Sequence, residues 1–316
     1  MTIWRYLLHG VPIASEIELP ESEHILNALV PSPTLRILAE PATGSITPEL
    51  PSDVRTVFCV PVGKKIITIG GVDASGRWML RWSGVLEVRL DPMATTMIAR
   101  PDPDADPAFL PILLGASALA FALTVRQHLV LHASCVAING AAVAVVADSG
   151  GGKSTLSALL CAAGASFVSD DVLRVDLTPD PVIHRGSREM RLRLGSAEVA
   201  ELLARFPQRT SADERMAVRV DSTNEATLPL RRIVLPVLHP TLEAAYSEPV
   251  PPTEALFLLL SKLRVPGVLD GKFHESQFTQ LADLVGRVEV VRLHLPWTRP
   301  FTAEIAATYV EAITRV

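Results

Sequence analysis

The sequence predicts an α/β fold with a smaller strand-rich domain at its N-terminus. Three observations predict it. Short runs of alternating apolar residues fill residues 1 to about 90. Between Ala141 and Ala163 an apolar strand enters a glycine-rich loop and then a helix-forming segment. From there to Val316 strand-like and helix-like runs alternate.

A chain of 316 residues, 48% hydrophobic and 20% charged, has enough apolar material for a sizeable core. Its formal net charge of −5 argues against a global electrostatic pull on nucleic acid or anionic lipid, so neither partner is expected. Cys59, Cys135 and Cys161 are far apart and set in apolar runs, which reads as reduced core residues. The start, Met1 to Tyr6, lacks the basic stretch and long apolar run of a secretory signal, and a cytoplasmic location is expected.

In the N-terminal part, VRTVFCVPV, KKIITIGGV and RWMLRWSGVLEVRL are separated by glycine, proline and an Asp73-Ala74-Ser75-Gly76 turn. Asp91-Pro92 and the stretch Arg100 to Pro107 combine proline restriction with repeated acidic residues. The expected domains are therefore 1–100, strand-rich, and 108–316, a nucleotide-binding catalytic domain. Phe109 to Val125 is uncharged over 17 residues. At ~1.5 Å per residue this barely covers a ~30 Å hydrocarbon core, so a buried helix is expected rather than a membrane span.

Next come two buried strands, Leu129 to Ala137 and Ala141 to Ala147, around the hairpin signal Asn139-Gly140. Ser154 to Ala163 reads as a helix ended by Gly164, and Ser166 to Val168 as a strand leading to Asp170-Asp171. Further strands are expected near Arg232 to Leu238, Ala255 to Leu260 and Val288 to Leu293. Helices are expected near Glu198 to Phe206, Glu275 to Val285 and Thr302 to Ile313.

The glycine loop carries the chemistry. In the phosphate-loop pattern, backbone N–H groups of a glycine-rich turn point at phosphate oxygens and the following helix adds its positive end. Asp148, Ser149, Gly150, Gly151, Gly152, Lys153, Ser154 and Thr155 form the expected nucleotide-binding set, with Ala147 in place of the pattern's first glycine. Lys153 would reach the β and γ phosphates of ATP and the Ser154 hydroxyl would ligate Mg²⁺. Asp170-Asp171 lies 17 residues beyond Lys153 at the end of an apolar strand. There one carboxylate can ligate Mg²⁺ and the other accept a proton from an attacking hydroxyl, while an exposed acidic turn is the bland alternative.

Three segments in order, LHASCVAING, VVADSGGGKSTL and GASFVSDDVLRV, resemble the catalytic core of HPr kinase/phosphorylase. The resemblance covers about 129–176 well and runs loosely to about 240. It implies a P-loop kinase core of the HPr kinase/phosphoenolpyruvate carboxykinase type, the latter enzyme sharing a glycine loop followed closely by two aspartates. Trp4 to Pro20, with its Ser-Glu-x-x-Leu-Pro stretch, resembles the start of HPr-kinase-like proteins, some of which are tailoring kinases of lasso-peptide clusters. By position, His132 matches the histidine that opens the family's first core strand, in either a structural or an electrostatic role. Gly150 to Ser154 match its phosphate loop, and Asp170 and Asp171 its catalytic aspartates. Where that family carries a glycine-containing segment for phosphorolysis, this chain has His184 to Arg193. Arg185, Arg188, Arg191 and Arg193 there suit phosphate or an acidic peptide, or equally a solvated strand face.

The resulting expectation is an ATP- and Mg²⁺-dependent kinase moving the γ-phosphoryl group to a hydroxyl, a serine of a peptide or protein, with a ribosomally made precursor peptide among the candidates. Lys153 and the loop amides would stabilise phosphate charge, Ser154 and Asp171 hold Mg²⁺, and Asp170 act on the acceptor, with the reverse division of the aspartates left open. A small-molecule kinase and a nucleotide-dependent scaffold are the alternatives. The resemblance to a hexameric enzyme leaves a homo-oligomer open.

Overall fold

The computed structural model describes residues 2–19, 32–62, 66–193, 197–265, 271–297 and 299–315. By its internal contacts the chain divides into Met1–His128 with Gly267–His274, and Leu129–Pro266 with Glu275–Val316.

In the first unit the alternating runs form strands β1 (Trp4–Leu8), β2 (Val11–Ser15), β3 (Leu35–Ala39), β4 (Val54–Val62), β5 (Ile66–Asp73), β6 (Trp78–Trp82), β7 (Leu86–Leu90) and β8 (Thr96–Pro101). They make one sheet in the order β1-β2-β3-β8-β7-β6-β5-β4. The β2–β3 and β3–β8 pairs are parallel and the rest antiparallel. The β1–β2 turn puts His9 at φ 50° and Gly10 at φ 71°, the left-handed pair that a two-residue hairpin requires. Gly71 has to be glycine for a steric reason, since a Cβ there would lie 2.7 Å from the Arg55 carbonyl oxygen. Glu87 is buried but paired, 2.7 Å from Arg81 and 3.1 Å from Arg100, as a buried charge must be.

The apolar run becomes α1 (Phe109–Leu113), a π-helical turn (Leu114–Ala118) and α2 (Leu119–Val125), and every residue of α2 is buried. Among the described residues no helix is long and apolar enough to cross a membrane. By contacts this run groups with the first unit, whereas the sequence placed a boundary at 100–108. Asp102 ties the proline-rich stretch in: it is buried, and its carboxylate accepts the N–H groups of Ile46 at 2.6 Å and Asp104 at 3.0 Å.

The second unit opens with β9 (Leu129–Leu131), β10 (Ala133–Ile138), β11 (Ala141–Val146), α3 (Lys153–Ala162), β12 (Ser166–Ser169), β13 (Leu173–Asp176), β14 (Val182–His184) and β15 (Glu189–Leu192). It continues with α4 (Ala197–Leu202), β16 (Gln208–Thr210), β17 (Met216–Arg219), β18 (Thr227–His239), β19 (Tyr246–Pro249) and α5 (Pro252–Leu260). It ends with α6 (Gly271–Arg287), β20 (Glu289–Pro296) and α7 (Ala303–Thr314). Nine strands form the main sheet along β12-β10-β11-β18-β14-β13-β9, with β20 on β18 and β19 on β20. The β11–β18 and β18–β20 pairs are parallel, which aligns three strand ends beside the glycine loop. A small sheet, β15-β17-β16, stands apart.

Strand β11 shows why helices cover both faces. Ala142, Ala144 and Val146 pack into one buried cluster with Ala255 and Leu259 of α5 and Leu281 and Leu284 of α6. Val143 and Val145 point the other way, into a cluster with Leu156, Leu159 and Leu160 of α3 and Tyr309 of α7. The result is a mixed α/β architecture.

Three expectations need correction. Cys59, expected in the core, is exposed, because β4 is the last strand in its sheet's order; Cys135 and Cys161 are buried. Ala255 to Leu260 is not a strand but the body of α5; Pro252 sits at the first helical position, and Ala255 and Leu259, one turn apart, are the buried pair while Phe257 is exposed. A short wholly apolar run carries no period by which to tell helix from strand. Leu129 to Ala137 is not one strand either. It breaks at His132, whose backbone N–H leaves the sheet to bond the Lys262 carbonyl at 2.8 Å.

Candidate active site

The loop from Ala147 to Gly152 joins the end of β11 to the first turn of α3. Gly150 and Gly152 both take φ of +85°, a left-handed conformation that disfavours any side chain. A Cβ on Gly151 would stand 3.0 Å from that of Ala147 and 3.1 Å from the Asp148 carbonyl oxygen. Lys153 is buried at the start of α3, and its ammonium donates to the carbonyls of Ala147 at 2.9 Å and Asp148 at 3.1 Å. The side chain thus folds back over the loop. Burial pushes its pKa down, while Asp171, Asp170 and Asp148 pull it the other way.

The acid pair follows β12 and faces the same loop. Asp170 accepts the Ser154 hydroxyl at 3.0 Å on Oδ1 and the Arg191 backbone N–H at 3.2 Å on Oδ2. Burial, and next the charge of Asp171, raise its pKa. Asp171 sits at φ 70°, which turns its carboxylate toward a different set of partners. Its Oδ1 lies 2.9 Å from His132 Nε2 and its Oδ2 2.9 Å from the Arg264 guanidinium. Burial alone would raise Asp171, but Arg264, His132 and Arg191 outweigh it and hold the carboxyl well below the usual range.

Strand β15 brings the arginines. Met190 and Leu192 enter the core cluster under α3, so Arg191 between them takes the opposite face, where it pairs with Asp213 at 3.2 Å, and Arg193 follows the strand. Arg193 donates to Ser149 Oγ at 3.0 Å, at the tip of the loop. Arg185 instead anchors to the Thr223 carbonyl at 3.0 Å, away from the loop.

The structure therefore brings together Asp148, Ser149, Gly150, Gly151, Gly152, Lys153, Ser154, Asp170, Asp171 and His132. Thr155 follows on the first turn of α3. Sequence reasoning missed Lys262 and Arg264, which follow α5. Lys262 pairs with the Asp148 carboxylate, and the Arg264 N–H bonds the Val130 carbonyl at 2.9 Å, beside His132. Two basic residues just past a helix end carry no motif by which to find them.

Beside the loop, Ser154 Oγ and Asp170 Oδ1 face each other at 3.0 Å as a pair of oxygen donors. Such a hard pair suits Mg²⁺, which takes one or two protein oxygens and completes its shell with phosphate and water. Among the described residues no group of three or more His, Cys, Asp or Glu side chains could hold a metal by itself.

No family model matches the chain, and no curated protein matches it in sequence. Among solved structures it is similar to the Hpr(Ser) kinase/phosphatase from Coxiella burnetii. The identity is 11%, over 58% of this chain and 87% of that one, with a TM-score of 0.31. At that overlap the residues of the site stand on their own geometry.

Proposed function

We propose that this chain is an ATP-dependent phosphotransferase that moves the γ-phosphoryl group to a hydroxyl, with a serine of a peptide or protein as the acceptor. The observation that carries the reading is the meeting of two things at the ends of β11 and β12: a glycine loop capped by a buried lysine, and two aspartates with different partners, Ser154 for Asp170 and His132 with Arg264 for Asp171. A nucleotide-binding loop alone needs one acidic partner for its cation; a second, held ionised beside a histidine, suits proton transfer.

In this reading the loop amides and Lys153 hold the phosphate oxygens at the positive end of α3. Ser154 and Asp170 would hold Mg²⁺, which supplies charge neutralisation on the phosphates when bound. This reverses the division expected from sequence, because it is Asp170 that the Ser154 hydroxyl meets. The acceptor oxygen attacks the γ-phosphorus, the bond to the β–γ bridging oxygen breaks, and the hydroxyl proton passes to the His132–Asp171 pair. Arg264 keeps Asp171 ionised for that purpose.

The test is transfer of label from γ-labelled ATP with Mg²⁺ to serine-containing peptides, supplemented by slow ATP hydrolysis. Label on serine that disappears in Asp171→Asn supports the reading. Tight ATP binding without hydrolysis or transfer to any hydroxyl acceptor sinks it in favour of a nucleotide-dependent scaffold.

A further inference from the structure

We infer that Arg193 is a catalytic arginine supplied by the chain itself, its guanidinium contacting the terminal phosphate of a nucleoside triphosphate held in the loop. The inference rests on the reading of Ala147 to Ser154 as a phosphate site. It goes further by naming a residue that the glycine loop and acid pair do not include.

Three observations converge on it. Arg193 Nη2 donates to Ser149 Oγ at 3.0 Å, so the guanidinium already stands at the loop tip. A Cβ on Gly150 would lie 3.4 Å from Arg193 Nη1 and 3.8 Å from its Cζ, so the planar group lies against bare loop backbone at the left-handed glycine. Finally, Arg193 directly follows β15, whose edge meets the acid pair: the Arg191 backbone N–H bonds Asp170 Oδ2 at 3.2 Å. The Arg193 backbone therefore leaves the strand beside Asp170, within reach of the loop. Arg193 itself is exposed, unlike the buried structural Arg174 and Arg232.

The chemistry fits a terminal phosphate better than an inner one. Loop amides and the helix end surround the inner phosphates, whereas a guanidinium at the mouth meets the outermost group with two parallel N–H donors. As the γ-phosphoryl group leaves, charge shifts onto the β–γ bridging oxygen and the equatorial oxygens, and a fixed cation there stabilises it.

The test compares affinity for ADP with affinity for a non-hydrolysable ATP analogue, both with Mg²⁺, in the full-length wild type and in Arg193→Ala, Arg193→Lys and Lys153→Ala. Arg193→Ala is expected to weaken the triphosphate analogue about tenfold or more while ADP affinity stays within about twofold. Arg193→Lys should fall between, since it keeps the charge and loses the fork. If both nucleotides weaken together in Arg193→Ala, the arginine merely braces the loop through Ser149 and the inference is overturned; if neither weakens while Lys153→Ala loses both, it is likewise overturned and the loop reading survives. A wild type that binds neither nucleotide removes the loop reading itself.

Discussion

His132 Nε2 stands 2.9 Å from Asp171 Oδ1, joining a residue at the break between β9 and β10 to one at the end of β12. If this pair takes the acceptor's proton, its members act as a unit. Asp171→Asn and His132→Ala are each expected to lower single-turnover transfer by about 10²- to 10⁴-fold, with the double variant little worse than either. ADP affinity should stay near wild type in all three. Additive losses would mean that the two residues act separately.

Asp170 and Ser154 face each other at 3.0 Å, so they should share one phenotype. Asp170→Asn and Ser154→Ala are expected to raise the Mg²⁺ concentration needed for half-maximal activity by about tenfold or more. A Mg²⁺ titration of ATP hydrolysis checks this. An unchanged requirement in Asp170→Asn, with a raised one in Asp171→Asn, would restore the division of roles first expected.

Arg264 balances a buried carboxylate, so Arg264→Gln should destabilise the fold by about 2 kcal/mol at pH 7, discounted from a fully buried pair because both side chains are a fifth or more exposed. The sign of its pH dependence follows from the depressed pKa of Asp171. A lowered carboxyl pKa gives stability that is present above the ordinary carboxylate range, near ~4, and lost as pH falls through the folded value. Without Arg264 that pKa rises, so the gap between variant and wild type should be full at pH 7 and narrow as pH falls below about 4. Urea melts at pH 7 and at about pH 3 read it directly.

Gly71 offers a control in the other unit of the chain. Gly71→Ala would set a Cβ 2.7 Å from the Arg55 carbonyl oxygen, and a backbone atom cannot swing aside as a side chain can. Destabilisation of about 1–3 kcal/mol is expected, with nucleotide affinity unchanged in the folded fraction.

Much of this site was legible because it is local. Asn139-Gly140 announces the β10–β11 hairpin, and both residues adopt the positive φ that the turn demands, 52° and 78°. Three glycines before Lys153 announce a tight turn, and two of them take the left-handed φ of 85°. What escaped is what sequence distance hides. Lys262 reaches the loop and Arg264 the acid pair because the segment after α5 bonds back to His132 at the β9–β10 break and to Val130 in β9. Adjacent aspartates were visible, but which one meets Ser154 depends on the left-handed turn at Asp171, a backbone choice that no residue pattern specified. Arg191 and Arg193 were visible too, and only the fold separates them, Arg191 pairing with Asp213 and Arg193 reaching Ser149.

The central claim is that the loop at the head of α3 binds nucleotide phosphates with Lys153 as its cation. Titration calorimetry of the wild type and Lys153→Ala with Mg²⁺-ATP tests it most directly, with thermal melts to establish that both are folded. The account predicts saturable binding to the wild type and a loss of about 10- to 100-fold in the variant, the scale of a desolvated charge-assisted hydrogen bond. Equal affinity in the two proteins, or no binding to the folded wild type, would contradict it.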